Sequence, residues 1–155
     1  MWNLRYLGNN LLSSGSSDNH IKIWDTKTFK CVKTLDGHHH WITSMALDHD
    51  NNLVSGSSDE TIKFWDVKDD FKLLNTLDLH HGAINSLLKL DDGLMASASN
   101  DFNLKIWRET QDNFKVEQII KGYPPINAYR LIKFDTGIMI GGLADGRIII
   151  WKQLY

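Results

Sequence analysis

The stretch SGSSDETIKFWD, which ends at Asp66, occurs in four related copies along this chain of 155 residues. The other copies are SGSSDNHIKIWD ending at Asp25, SASNDFNLKIWR ending at Arg108 and GGLADGRIIIWK ending at Lys152. Successive tryptophans of these copies are separated by 41, 42 and 44 residues. A period in this range is typical of repeat architectures, in which each unit is a small sheet that packs on its neighbours.

The second unit shows how each copy is predicted to fold. Four short segments rich in apolar and β-branched residues indicate four strands, from the inside of a sheet to its outer edge. In chain order they are WITSMAL, LVSGS, TIKFWD and FKLLNTL. Turn-forming residues such as DHDNN separate them. Since no segment has helical periodicity, we predict an all-β fold of four-stranded antiparallel sheets. The fourth unit stops after Tyr155, before an outer strand.

These motifs resemble the WD-repeat β-propeller family. The S-x-x-x-D turn, the T-I-K-x-W-D strand and the Gly37-His38 pair are specific when they recur in register. The resemblance extends from Trp2 to Trp151 and implies that residues 1–155 form a single propeller segment of four blades. The expected units are, approximately, residues 2–37, 38–79, 80–122 and 123–155.

Composition excludes several classes of protein. With 42% hydrophobic and 23% charged residues, the chain is typical of globular rather than disordered proteins. Its net charge of -2 lacks the basic excess of a nucleic-acid binder, and no apolar run approaches the length of a membrane span. A single cysteine, Cys31, fits a reducing compartment. We therefore expect a cytoplasmic location, with the nucleus as the alternative, and neither nucleic-acid nor membrane partners.

The resemblance also implies a buried hydrogen-bond network made of one His, one Ser, one Asp and one Trp in each complete unit. In propellers of this family the indole contacts the hydroxyl, the hydroxyl contacts the imidazole, and the imidazole donates to the turn carboxylate, so that buried polar groups have partners. The expected members are His38, Ser55, Asp59 and Trp65 in unit two, His80, Ser97, Asp101 and Trp107 in unit three, and Ser14, Asp18 and Trp24 in unit one.

The two outer units depart from this pattern. Unit one has no histidine upstream of its serine. In unit four, Gly141 takes the serine position, and the histidine position falls on Gly122, or on Tyr123 with a gap of one residue. Only Asp145 and Trp151 remain there, so unit four is expected to be the weakest blade.

Ser, His and Asp are also the residue types of a nucleophilic triad, so a hydrolase is the alternative. The recurrence of the set at the repeat period favours a structural role, because an enzyme needs one site with an accessible nucleophile. The run of histidines 38–40 and the pair His80-His81 could bind zinc or copper. Without a cysteine pair or carboxylate motif beside them, we predict no catalytic residue, no metal and no cofactor.

In this family, the loops that enter the inner strands and the tight turns after the second strands form one rim of the channel. The residues expected on this rim are His39, His40, Trp41, His81, Tyr123, Ser17, Ser58 and Asn100. A tryptophan beside histidines has the composition of an interface hot spot, although burial of Trp41 at the channel wall or between blades is the alternative. We predict a non-enzymatic scaffold or adaptor for protein or peptide partners. A purely structural subunit of a larger ring or coat is the other alternative.

The count of strands predicts how the propeller closes. The chain opens on an inner strand and its last unit stops before an outer strand, so neither end completes the sheet of the other. Units one and four would then expose apolar faces, which soluble monomers avoid. We expect either a segment of a longer propeller or two chains joined head to tail in an eight-bladed ring.

Overall fold

The computed structural model of the chain describes residues 3–110, 114–121, 128–134, 137–143 and 145–152. All fifteen regular elements in these ranges are β-strands. Nowhere in the described ranges is there a helix long and apolar enough to cross a membrane.

The strands form four successive sheets, which we call blades one to four. Blade one contains β1 (Asn3–Gly8), β2 (Leu11–Gly15), β3 (Ile21–Asp25) and β4 (Lys30–Leu35). Blade two contains β5 (Ile42–Leu47), β6 (Leu53–Ser57), β7 (Ile62–Asp66) and β8 (Lys72–Leu77). Blade three contains β9 (Ile84–Lys89), β10 (Leu94–Ser99), β11 (Asn103–Glu109) and β12 (Phe114–Lys121). Blade four contains β13 (Ala128–Lys133), β14 (Ile138–Leu143) and β15 (Ile148–Lys152).

Each blade is an antiparallel sheet in which strands consecutive along the chain are neighbours. Blades one to three have four strands, and blade four has three among the described residues. The first strands β1, β5, β9 and β13 contact one another in this order, so they line the centre and the later strands lie outside. The prediction of an all-β fold built from propeller blades is confirmed.

Both faces of a blade are buried between its neighbours. In blade two, Ile62 and Phe64 point towards blade three and pack with Trp107. Trp65, on the opposite face of the same strand, packs with Ile23 of blade one. We call the face turned to the next blade along the chain the leading face, and the face that carries the tryptophan the trailing face. Burial on both faces explains why these strands are more apolar than a half-exposed sheet would be.

Serine hydroxyls join the inner strands of neighbouring blades. Ser44 Oγ accepts a hydrogen bond of 2.8 Å from the backbone N–H of Leu87. One repeat later, Ser86 Oγ accepts one of 3.0 Å from the N–H of Leu131. Both hydroxyls are buried. Each accepts a backbone N–H from the first strand of the next blade, so that this buried donor has a partner.

The outermost faces of the described blades are apolar and exposed. Leu4 and Tyr6 on β1 are 51% and 59% exposed. On the leading face of blade four, Ile132, Ile148 and Ile150 are 53%, 70% and 64% exposed. The equivalent residues of blades two and three lie in the cores between blades.

Candidate functional site

The four polar residues expected in unit two form a continuous hydrogen-bond chain. Trp65 Nε1 donates to Ser55 Oγ over 2.8 Å, and Ser55 Oγ lies 2.8 Å from His38 Nε2. On the other side of the ring, His38 Nδ1 lies 2.8 Å from Asp59 Oδ2. A neutral imidazole with its proton on Nδ1 matches all three contacts, because the hydroxyl then donates to Nε2 and the ring donates to the carboxylate.

Blade three repeats this hydrogen-bond chain with the equivalent four residues. Trp107 Nε1 donates to Ser97 Oγ over 3.1 Å, Ser97 Oγ lies 2.7 Å from His80 Nε2, and His80 Nδ1 lies 2.8 Å from Asp101 Oδ2. The two networks occupy corresponding places on the trailing faces of adjacent blades. Each contains a hydroxyl with no exposed surface at all.

Burial and hydrogen bonding act against each other on the ionisation of these groups. Burial opposes the charged form of Asp59, but hydrogen bonds from His38, Thr61 and the His39 N–H outweigh it and lower the pKa of Asp59. The pKa of Asp101 is lowered in the same way, with the N–H of Asn103 as the largest favourable contribution. For His80, burial lowers the pKa of the imidazole, although the carboxylate of Asp101 acts in the opposite direction. The carboxylates are therefore charged and His80 is neutral at pH 7.

The outer blades carry incomplete versions. In blade one, Trp24 Nε1 donates to Ser14 Oγ over 2.8 Å. Asp18 is exposed and keeps only the turn contact common to the blades, in which it accepts the backbone N–H of the second residue after it, here His20. In blade four, the Trp151 ring lies against Gly141, where a Cβ atom would be 2.7 Å from it.

The turn carboxylate of blade four is also engaged elsewhere. Asp145 pairs with Arg147 at 2.6 Å on the surface. Gly122 and Tyr123 lie outside the described residues.

The buried location of the Ser–His–Asp set determines what it can do chemically. Ser55 has no exposed surface, His38 is 6% exposed, and Trp65 covers the hydroxyl. A nucleophile must reach the substrate carbonyl, and this hydroxyl is enclosed by its own partners. The set therefore cannot act as a hydrolytic triad in this conformation. Among the described residues, no group of three or more His, Cys, Asp and Glu side chains is arranged to hold a metal ion.

What the networks do is hold the rim loops against the turns. Asp59 Oδ2 also accepts the backbone N–H of His39 at 2.8 Å, and Asp101 Oδ2 accepts that of His81 at 3.2 Å. Each carboxylate thus links a loop that enters an inner strand to the tight turn that follows the second strand. The same contacts connect this rim to the buried Trp65.

The sequence patterns did not single out a second pair of hydroxyls that strengthens this link. Ser57 Oγ donates to the His40 carbonyl over 3.0 Å and accepts the Asp59 N–H over 3.0 Å. Ser99 Oγ makes the equivalent contacts with Gly82 at 2.8 Å and Asp101 at 3.1 Å. The signal was present, because both serines occupy the same place in the repeated SGSSD and SASND stretches.

Trp41 lies on this rim and is 44% exposed, so it is not buried at the channel wall or between blades. Its carbonyl accepts the N–H of Ser58 over 2.9 Å, and its N–H donates to His40 Nδ1 over 2.9 Å. The imidazole and indole rings of this pair are in contact, with centroids 5.1 Å apart. These two hydrogen bonds fix the backbone from which the indole projects, and the His40 ring lies against the indole.

The structure places the other rim residues as follows. His39, His81, Ser17 and Asn100 are exposed, Ser58 is half-buried, and Tyr123 lies outside the described residues. The Asn100 N–H donates to the Ala83 carbonyl over 2.9 Å, which is the blade-three counterpart of the Ser58–Trp41 contact.

One further aromatic lies in a rim turn and was not singled out by its sequence. Phe102 follows the turn residue Asp101, is 47% exposed and has a φ of 64°. Asn19 and Glu60 occupy the same place with φ values of 71° and 72°. A large aromatic is uncommon in left-handed backbone, which is why sequence alone did not indicate this position.

Comparison with known proteins agrees with the blade geometry. The model of the family described as WD domain, G-beta repeat matches residues 7–25, 29–66 and 71–108, which together are more than half of the chain. The chain belongs to the WD-repeat family. Each of the longer matches runs from the start of an outer strand through the third strand of the next blade, so the sequence repeat of the family is offset from the blade by one strand.

The relatives are similar over about one WD repeat. They include nuclear distribution protein nudF 1 of Talaromyces marneffei, 46% identical over 39 residues, which are 25% of this chain and 8% of that protein. Myosin heavy chain kinase C of Dictyostelium discoideum is 41% identical over 44 residues, 28% of this chain and 6% of that protein. Nuclear distribution protein PAC1 of Gibberella zeae is 48% identical over 40 residues, 26% and 9% respectively.

The chain thus matches less than a tenth of the length of each of these relatives. WD repeats generally mediate interactions between proteins, and members of the family are generally non-enzymatic scaffolds.

Proposed function

We propose that this chain is an interaction scaffold or adaptor that binds a protein or peptide partner through the rim containing His39, His40 and Trp41. The observation that carries the proposal is the exposed indole of Trp41, which lies against the His40 ring on a backbone that hydrogen bonds to Ser58 and His40 hold in place. A rigid aromatic loses little conformational entropy on binding, which is why such residues are enriched among interface hot spots.

The difference between adjacent blades supports this location. Blades two and three have the same buried network and the same loop-to-turn hydrogen bonds. At the positions of His40 and Trp41, however, blade three has Gly82 and Ala83. Because blade three forms the same network without them, the exposed side chains of His40 and Trp41 are not needed to complete it.

The position of Phe102 also favours this rim as the surface that binds the partner. A left-handed backbone costs a non-glycine residue about 1–2 kcal/mol, and bulky residues in such conformations cluster at functional sites. Phe102 nevertheless leaves half of its surface in solvent, so burial in the blade does not offset this strain. We infer that Phe102 is a second aromatic contact for the partner, presented from blade three.

The experiment is a quantitative pull-down from cell extract with mass spectrometry, in which matched variants decide the outcome. A His40→Ala/Trp41→Ala double variant should lose the specific partner, with affinity lower by about 30-fold, the equivalent of about 2 kcal/mol for a hot spot. The control is Asp50→Ala/Asp91→Ala, which should keep the partner, because these residues lie in the β5–β6 and β9–β10 turns at the opposite ends of the inner strands. Loss of the partner in the control, with retention in the double variant, would reverse the assignment of the rim.

Phe102→Asn gives a test in which binding and stability change in opposite directions. Asn occupies the equivalent place in blade one as Asn19, and it tolerates left-handed backbone. The variant should unfold at an equal or higher urea concentration and yet bind the captured partner more weakly. Unchanged binding would remove Phe102 from the proposed surface.

We also propose that the chain is located in the cytoplasm and associates with a second copy of itself. Cys31 is a free, exposed thiol, which is consistent with the reducing cytoplasm. The exposed leading face of blade four has the residue types that blades two and three bury against a following blade. We infer that the trailing face of blade one in a second copy covers it, as in an eight-bladed ring of two chains.

A further inference from the structure

The rim that contains Trp41 is acidic in blades one to three. The loops and turns that form it there are residues 16–20, 36–41, 58–61, 78–83 and 100–103. These segments contain six carboxylates but no lysine and no arginine. Two of the carboxylates, Asp59 and Asp101, belong to the buried networks. The other four are exposed, namely Asp18, Asp36, Glu60 and Asp78.

The lysines of the third strands lie just below this rim and leave part of the negative charge unbalanced. Lys63 is 8% exposed, and its Nζ donates to a hydroxyl of β8 over 2.9 Å. In blade three, Lys105 Nζ donates to a backbone carbonyl of the protein. Lys22 lies close enough to lower the pKa of Asp18, together with the stronger effect of the hydrogen bond from the His20 N–H. The excess negative charge is therefore concentrated on the loops around blade two.

The ion pairs of the chain have the same asymmetry. In the described part of blades one to three, the rim carboxylates pair only with histidines. Asp36 Oδ1 lies 3.0 Å from His20 Nε2, and Asp18 Oδ1 lies 3.7 Å from His20 Nδ1. Two carboxylates at the opposite ends of the blades have lysine partners instead, in the pairs Lys33–Asp70 and Lys133–Asp91. A strong cation for the acidic rim has to come from outside these three blades.

Blade four shows which cation fits a turn carboxylate of this repeat. Asp145 is the counterpart of the turn aspartates in the first three blades. Both Nη2 and Nε of Arg147 lie 2.6 Å from its Oδ2. Arginine makes such contacts with two donors of one rigid plane, which a lysine ammonium cannot do. The turn geometry of this chain is therefore compatible with a guanidinium.

The indole of Trp41 lies in the acidic part of the rim. Its carbonyl accepts the N–H of Ser58 over 2.9 Å, and Ser58 belongs to the tight turn that includes Glu60. The Trp41 side chain is 44% exposed. A cation over an indole face is attracted by the ring electrons, and arginine can also stack on the ring through its flat guanidinium. An aromatic among carboxylates thus favours an arginine over a neutral side chain.

We propose that the rim of blades one to three binds an extended basic peptide, with one arginine stacked on Trp41 and paired with Glu60. Further basic residues of the peptide pair with Asp36 and Asp78, in the loops that enter blades two and three. This inference rests on the function proposed above, because it names the chemical class of the partner for the same rim. Its recognition chemistry is ion pairing plus one cation–aromatic contact.

The first experiment titrates the full chain into the fluorescein-labelled peptide GSRGSRGSR and follows the anisotropy. The matched control is the same peptide with citrulline in place of each arginine, which keeps the shape of the side chain and removes its charge. The arginine peptide should bind saturably and at least about tenfold more tightly, because the control loses the ion pairs and the cation–aromatic contact. Absence of saturable binding, or equal affinity of the two peptides, would overturn the proposal.

Charge reversal then locates the site. Glu60→Lys/Asp78→Lys should weaken the arginine peptide by about tenfold or more and should create binding of GSEGSEGSE, a gain that an unfolded variant would not give. Asp50→Lys/Asp69→Lys is the matched control, since it changes the net charge equally on exposed residues at the opposite ends of the strands. It should leave the affinity for the arginine peptide within about twofold. Equal losses in the two variants would reveal attraction to net charge alone and contradict the site.

Trp41→Leu separates this inference from the function proposed for the rim. The variant keeps an apolar side chain but loses the aromatic face, so the arginine peptide should bind it about fivefold more weakly. Unchanged affinity would remove the contact between arginine and Trp41. If the partner captured from cell extract depends on His40 and Trp41 while no arginine peptide binds, the rim remains the binding surface and only the basic partner is excluded. If the arginine peptide is lost in the Asp50/Asp69 variant instead, both proposals fail for this rim.

Discussion

At the scale of single residues, the histidine of each complete network connects the hydrophobic core to the rim. In blade two, Nε2 of His38 contacts the Ser55 hydroxyl beneath Trp65, and Nδ1 contacts the Asp59 carboxylate. The same carboxylate accepts the N–H of His39 in the rim loop. Because the polar side chains of this network are bonded to one another, removal of one member leaves others unsatisfied within the protein.

His38→Ala should therefore destabilise the fold much more than His39→Ala. The first substitution deprives Ser55 and Asp59 of their imidazole partner, at a cost of about 1–3 kcal/mol in free energy of unfolding. The second removes an exposed side chain and keeps the backbone N–H that donates to Asp59, so its effect should stay within about 0.5 kcal/mol. Urea unfolding of both variants measures the difference. Equal shifts of the two midpoints would contradict the structural role of His38.

The buried His80 should make the free energy of unfolding depend on pH below neutrality. Its pKa is lowered in the folded chain by burial, so the unfolded chain takes up this proton more readily below about pH 6.5. Stability should then fall as the pH is lowered from 7.5 to 5.5, by up to about 1.4 kcal/mol per pH unit from this group.

His80→Gln tests this assignment, since glutamine does not titrate. Urea midpoints at the two pH values give the slope for each chain, and the variant should have the smaller slope. A slope equal to that of the unmodified chain would mean that His80 titrates alike in the folded and unfolded states. The carboxylates contribute separately, because the lowered pKa values of Asp59 and Asp101 withdraw stability only as the pH falls below about 4.

At the scale of the strand, four copies of one pattern give two kinds of packing. In blade two, Ser55 on β6 accepts the indole N–H of Trp65. In blade four, Gly141 occupies the serine position on β14, and the Trp151 ring lies directly on its backbone. The glycine is required by this close approach, since a Cβ atom would lie 2.7 Å from the ring.

Gly141→Ser should consequently destabilise blade four, although it restores the residue found in blades one to three. The added side chain overlaps the Trp151 ring, and overpacking of this kind costs about 1–3 kcal/mol. Gly142→Ser is the matched control, because a Cβ atom at the next position meets nothing within 4 Å. Thermal unfolding compares the two variants. A rise in stability for Gly141→Ser would mean that Trp151 turns to bond the new hydroxyl.

Strands and networks differ in how far the sequence predicts them. The strands of blade two follow from alternation and turn residues, since WITSMAL and TIKFWD correspond to β5 and β7. The exposure of Trp41 does not follow, because a tryptophan after a loop fits a channel wall as well as a rim. The left-handed Phe102 was also hidden, since only the preceding Asp101 marks the turn. The exposure of Trp41 depends on how the blades pack around the centre, which local patterns do not contain. The left-handed φ of Phe102 belongs to its own turn, because Asn19 and Glu60 have a similar φ in blades one and two.

At the scale of the whole molecule, each blade covers the next with an apolar face. Ile62 and Phe64 of blade two pack on blade three, and Ala98 and Leu104 of blade three pack on blade four. The same positions on the leading face of blade four include Ile148, which is 70% exposed. A repeat of this kind gains its stability from neighbour contacts, so an uncovered face favours association.

The purified chain should therefore associate with itself or bind a hydrophobic dye. Light scattering should show species larger than the 17.8 kDa chain, because the leading face of blade four fits the trailing face of a blade and burial of apolar area favours that contact. Ile132→Lys/Ile148→Lys should shift the population towards monomer, since two charges would be buried at the contact. Leu74→Lys, at a 48% exposed position on the outer strand of blade two, is the control and should not. A folded 17.8 kDa monomer that binds no dye would exclude association through this face, and equal effects of the two variants would place the contact elsewhere.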